Sequence, residues 1–150
     1  MRNLLVIGYG NELRADDGVG PRVARAVAAL DRPGVRAVAA HQLTPEMAEL
    51  VHEADAVVFV DARVGAASVE VQAVTPAPGN AGWGHTSDPR WLMSLTHAVY
   101  GHTPPAWLVT IPATDLGMGE GLSEGATQGM DEALRRVLTL LESLKEAACA

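Results

Sequence analysis

Two adjacent acids, Asp16 and Asp17, follow the glycine-containing stretch Gly8-Tyr9-Gly10-Asn11-Glu12-Leu13 near the start of the chain. A third acid, Asp61, follows the apolar run Ala56-Val57-Val58-Phe59-Val60, and His85 stands in a Gly-rich loop before Asp88-Pro89. Two carboxylates brought close in a cleft must share a proton or bind a cation. One added imidazole makes a mixed oxygen and nitrogen set suited to borderline divalent metals such as nickel or zinc. Three protein ligands with an open position would let such a metal accept a further ligand.

A nucleotide is the competing ligand. Gly8-Tyr9-Gly10 opens like a Gly-x-Gly-x-x-Gly dinucleotide fingerprint, but Leu13 stands where the third glycine belongs. Asp16 and Asp17 then fall near a helix start, where a pyrophosphate wants bare N–H groups. A carboxylate ~4 Å from a phosphate costs roughly 4 kcal/mol at an effective dielectric of ~20. The spacing therefore disfavours a nucleotide. Each acid also has a structural alternative. Asp16 or Asp17 can cap the helix that follows, and Asp61 can close a loop by accepting backbone N–H groups. A histidine in a Gly-rich loop is more often a surface residue than a ligand, and His52, His97 and His102 read as surface or packing residues. His41 lies nearer the acids, with no spacing that marks it.

The elements that must position these residues alternate between strand and helix. Leu4-Leu5-Val6-Ile7 predicts a buried strand running into the glycine loop. Val19, Val23, Ala26, Val27 and Leu30 recur at helical spacing, with Pro21 in the first turn. Val35 to Ala39 predicts a second strand, and Thr44-Pro45-Glu46 the start of a short helix through Met47, Leu50, Val51 and Ala54. The run Ala56–Val60 predicts a parallel strand buried on both faces and ending on Asp61. Val69, Val71 and Ala73 alternate with polar residues, as in an edge strand. Thr75 to Ser87 reads as a loop, and Asp88-Pro89 opens a helix turning Trp91, Leu92, Leu95 and Val99 inward. Ala106 to Ile111 predicts a last strand stopped by Pro112. A glycine-rich loop then leads to Ser123, the expected cap of a long final helix.

This order predicts an α/β fold: one domain over residues 1–150, with a mostly parallel twisted sheet of about five strands between helices on both faces. Ligands of such sheets bind beyond the carboxyl ends of the strands, where Asp17, Asp61 and His85 are delivered. Composition agrees with a globular protein: 48% hydrophobic and 19% charged residues. The net charge of −7 argues against a nucleic-acid partner. No apolar run is long enough to span a bilayer, and Leu4–Ile7 is too short for a signal peptide, so the expected location is cytoplasmic and the expected state a monomer. The single cysteine, Cys149, excludes an internal disulfide and a Cys-rich metal site.

Taken together, three segments resemble the [NiFe]-hydrogenase maturation endopeptidases. They are Gly8-Tyr9-Gly10-Asn11-Glu12-Leu13-Arg14-Ala15-Asp16-Asp17-Gly18-Val19-Gly20, then Phe59-Val60-Asp61-Ala62, then His85. His41-Gln42-Leu43-Thr44-Pro45-Glu46 and Gly119-Glu120-Gly121-Leu122-Ser123 also resemble segments from branches of this family. The resemblance implies an endopeptidase that removes a C-terminal extension from the hydrogenase large-subunit precursor after nickel insertion. It places the family's metal contacts and catalytic groups on Asp17, Asp61 and His85, with nickel supplied by the precursor, and leaves Asp16 and His41 without a role. No Gly-x-Ser-x-Gly elbow, His-Glu-x-x-His helix or suitable cysteine points to another peptidase class. Two alternatives remain at this level: a peptidase holding its own catalytic ion, and a non-catalytic nickel or precursor-docking assembly factor.

Overall fold

The computed structural model describes residues 3–76 and 88–149. Five strands form one sheet: β1 (Leu4–Tyr9), β2 (Val35–Ala40), β3 (Ala56–Val64), β4 (Glu70–Val74) and β5 (Ala106–Ala113). Their spatial order is β2-β1-β3-β5-β4, all parallel except β4, which pairs antiparallel with β5. The helices are α1 (Val19–Ala29), α2 (Met47–Glu53), α3 (Pro89–Tyr100) and α4 (Glu124–Cys149).

Period-two alternation divides the central strands between two cores. Leu4 and Val6 of β1 with Val58 and Val60 of β3 face the layer of α1 and α4. Leu5, Ile7 and Tyr9 with Val57 and Phe59 face α2 and α3. Both sides are apolar because both are covered, as parallel sheets require. Each such fully buried Val, Leu, Ile or Phe contributes roughly 1.5–3 kcal/mol.

The helix signals are visible in α3. The Asp88 carboxylate accepts the Arg90 N–H at 2.9 Å, and Pro89 occupies the first turn. Gly101, at φ +83°, ends the helix by donating its N–H to His97. Leu92 is fully buried and Trp91 and Leu95 pack against the same core, but Met93 and Thr96 complete the buried side and Val99 is exposed. Likewise Ala24, rather than Ala26, completes the buried side of α1, and Leu30 lies past its end in solvent. The turn over Thr44 to Glu46 precedes α2, which begins only at Met47.

Two strands outrun their sequence signals. β3 continues past Asp61 to Val64 because β5 keeps pairing with it, Asp61 opposite Thr110 and Val64 opposite Ala113. β5 passes through Pro112, which lies beyond the last β4 partner at Thr110, where β5 has one neighbour instead of two. By contrast β1 leaves β3 after Gly8 opposite Val60. Asp61 thus stands where the sheet has just lost one strand. Among the described residues no helix is long and apolar enough to cross a membrane.

Candidate active site

The order β2-β1-β3 means that successive connections leave β1 toward opposite sides, with α1 on one face and α2 on the other. The crevice beyond β1 and β3 is the usual ligand position of such a sheet. The loop after β1 and a short 3-10 turn, Ala15–Gly18, fill one side of it.

Glycine lets that loop fold tightly. Gly10 has φ +149°, and a Cβ on it would lie 2.0 Å from the Asp17 carbonyl oxygen. A Cβ on Gly20 would lie 2.5 Å from the Tyr9 and Val60 carbonyl oxygens. These glycines therefore serve close approach of the main chain around the acids, not the cradling of a phosphate.

Asp16 and Asp17 part company here. Asp16 is fully buried and accepts the N–H groups of Thr114 and Asp115 at 2.9 Å and of Ser123 at 2.8 Å. The Ser123 hydroxyl adds a bond at 2.7 Å while its oxygen accepts the Ala126 N–H, capping α4. Burial alone would push this carboxyl up. The N–H groups of Asp115, Ser123 and Thr114, with the Ser123 hydroxyl, outweigh burial and hold it down at about 2. Around it, Arg14 and Gly119 form a parallel bridge, and Ala15 donates its N–H to Gly119 at 2.7 Å. Asp16 therefore joins the loop after β1 to the loop before α4.

Asp17 points the other way. It is half-buried, and its carboxylate accepts the Asn11 N–H at 2.7 Å. It lies close enough to Asp61 for its charge to raise that group. Asp61 accepts the Ala62 N–H at 2.8 Å and the hydroxyl of Tyr9. Burial first, and the charge of Asp17 in addition, push Asp61 up to about 6 against the pull of those two donors. Burial, then Asp61, then the charges of Asp88 and Asp17 push the Tyr9 phenol well above its ordinary value. Three carboxylates thus bear on one buried hydroxyl.

The structure brings Asp17 and Asp61 together at the crevice. His85 lies outside the described residues, and so does most of the loop expected before α3. Among the described residues no three His, Cys, Asp or Glu side chains are grouped to hold a metal ion. His41 is exposed and lines a cleft of about 260 Å³ with Asn11, Leu13 and the Glu12–Arg25 ion pair. His52 stacks on Tyr100 with ring centroids 4.0 Å apart and lies 4.8 Å from His102, at the C-terminal ends of α2 and α3. That packing is at the opposite edge of the sheet from the acids. Tyr9 and Asp88 are the site neighbours that sequence reasoning missed. The position of Tyr9 between Gly8 and Gly10, at the end of the first apolar run, was the available signal.

Comparison with family models and with curated proteins finds no match. Solved structures do match. The [NiFe] hydrogenase maturation protease HycI from Thermococcus kodakarensis superposes with a TM-score of 0.73 at 23% identity, over 94% of this chain and 93% of that one. The hydrogenase maturating endopeptidase HybD from Escherichia coli gives 0.74 at 21% identity, over 95% and 93%. A hydrogenase 2 maturation peptidase from a Thaumarchaeota archaeon gives 0.71 at 22% identity, over 94% and 99%. The chain has the fold of the hydrogenase maturation proteases over nearly its whole length.

Proposed function

We propose that this chain is an endopeptidase that removes the C-terminal extension of a nickel-loaded [NiFe]-hydrogenase large-subunit precursor. Asp17 and Asp61 contact the nickel that the precursor carries, and His85 completes the set by resemblance to the family. The observation that carries this reading is the pairing of Asp17 and Asp61 at the β1/β3 crevice. Two carboxylates near enough for the charge of Asp17 to raise Asp61 form an arrangement that a cation relieves. The full-length likeness to maturation proteases supports the choice of substrate.

The donor set fits a borderline divalent ion, and the metal serves as a recognition element brought by the substrate. Oxygen donors held by the Asn11 and Ala62 N–H groups are oriented before the substrate arrives. A scissile carbonyl polarised beside the metal, with water activated by metal or carboxylate, completes hydrolysis. Leu13 and Met118, 57% and 85% exposed on two loops joined by the Gly119 N–H to the Leu13 carbonyl, give this end of the sheet apolar surface suited to a protein substrate.

The test is the intact mass of a nickel-loaded large-subunit precursor after incubation with the protein. Loss of a discrete C-terminal peptide is expected, dependent on nickel and absent with Asp17→Ala. An unchanged mass with a cognate precursor overturns the peptidase reading and leaves a docking role. Equal cleavage of nickel-free precursor overturns the role given to the metal.

A further inference from the structure

The Asp61 carboxylate accepts the Ala62 N–H of its own strand at 2.8 Å, and Tyr9 of β1 stands beside it with its hydroxyl bearing on the carboxylate. The Tyr9 ring is 4% exposed and belongs to the core of Leu5, Ile7 and Phe59 beneath α2 and α3. Because Gly8 lies opposite Val60, Tyr9 and Asp61 are the next residues along two parallel strands and stand on the same face. Phenylalanine would fill the same core space. The hydroxyl is the polar atom that distinguishes the residue, and a buried tyrosine hydroxyl needs a partner. Its partner is a carboxylate of the candidate site.

A lone aspartate has two rotatable bonds, and repulsion from Asp17 would turn Asp61 away from the crevice. A donor mounted on an immobile ring opposes that rotation. We infer that Tyr9 is a positioning residue, whose hydroxyl fixes the Asp61 carboxylate beside Asp17 so that the pair meets the substrate's metal already assembled. The inference rests on the reading of Asp17 and Asp61 as the metal-contacting pair. It assigns Tyr9 no contact with substrate, since its ring is enclosed by the core and its hydroxyl is engaged by Asp61.

Tyr9→Phe removes the hydroxyl and keeps the ring. Steady-state cleavage of nickel-loaded precursor should show kcat/KM lowered by about 10- to 100-fold, the range for losing a residue that orients a metal ligand. The loss should fall mainly on KM, because recognition of the metal is what the orientation serves. Tyr9→Leu, which loses both ring and hydroxyl, should be no less impaired. A second readout needs no substrate. In NMR spectra of the protein alone, the Tyr9 hydroxyl proton should be slowly exchanging and shifted downfield, absent from Tyr9→Phe and displaced in Asp61→Asn.

Wild-type kinetics for Tyr9→Phe would overturn the positioning role while leaving the peptidase reading intact. A hydroxyl resonance indifferent to Asp61→Asn would overturn it whatever the cleavage assay shows. If the wild-type protein itself leaves the precursor's mass unchanged, the peptidase reading falls. The hydroxyl resonance then decides separately whether Tyr9 orients Asp61.

Discussion

The joint around Asp16 and the rim around Asp17 and Asp61 use the same side chain under opposite conditions. At the joint, one fully buried carboxylate is surrounded by donors, with three backbone N–H groups and the hydroxyls of Thr114 and Ser123 directed at it. At the rim, two carboxylates share a part-buried space, and each has few donors. The joint holds its charge firmly, and the rim tolerates its charge at a cost. What separates these neighbouring acids is thus the supply of hydrogen-bond donors, not residue type.

Removing Asp16 should have the largest effect on the fold. Asp16→Ala leaves the N–H groups of Thr114, Asp115 and Ser123 without their acceptor, at roughly 1–3 kcal/mol each. Denaturant titration should show about 4 kcal/mol or more lost from the free energy of unfolding. A change below about 1 kcal/mol would erase the distinction between joint and rim. Asp17→Asn should do the reverse. Precursor processing should fall by about 100-fold or more, equivalent to about 2.7 kcal/mol. Stability should change by no more than about 1 kcal/mol, the worth of one hydrogen bond at a half-buried position. A variant that unfolds instead would mark Asp17 as a second structural acid.

The pH dependence of stability sharpens the contrast, because the two shifts have opposite signs. Asp16 sits at about 2 in the fold against an ordinary 3.8, so its contribution is present above pH 3.8 and lost as pH falls toward 2. That difference corresponds to about 2 kcal/mol. Asp61 sits at about 6 against 3.8, so its contribution is present below pH 3.8 and lost as pH rises through 6. The change there is up to about 3 kcal/mol. Denaturation of wild type and Asp61→Asn between pH 4 and 7 measures the Asp61 contribution, and wild type against Asp16→Asn between pH 2 and 4 measures that of Asp16. The wild-type protein should gain stability from this residue on going from pH 7 to about pH 4, and the variant should not. The smallest effect belongs to the Glu12–Arg25 ion pair, which is largely exposed. Arg25→Ala should change stability by less than about 1 kcal/mol, read in the same titrations.

Much of this architecture was legible in the chain. The continuous apolar run at Ala56–Val60 marked the central parallel strand, and Asp88-Pro89 marked the start of α3. Elements set by distant partners were not legible. The extension of β3 beyond Asp61 depends on β5, and the burial of Leu92 and Met93 rather than Val99 depends on how α3 lies on the sheet. In the site, the pair of acids could be found from their places after strands. The duty of Asp16 could not, because its hydrogen-bond donors lie 98 to 107 positions further along the chain. The phenol–carboxylate contact was equally hidden, since it follows from the register of β1 on β3.

The separation between Asp16 and its donors bears on the order in which the protein forms. Contacts that close a loop of about a hundred residues are entropically costly and form late unless other structure has already brought their ends together. The Asp16 carboxylate can be enclosed only once β5 is paired and α4 has started at Ser123. The pair of acids mounted on it is therefore assembled only after α4 has formed. Amide exchange at Thr114, Asp115 and Ser123 would then follow global unfolding rather than local opening. A chain cut short before α4 would carry both rim acids in sequence and have no joint on which to mount them.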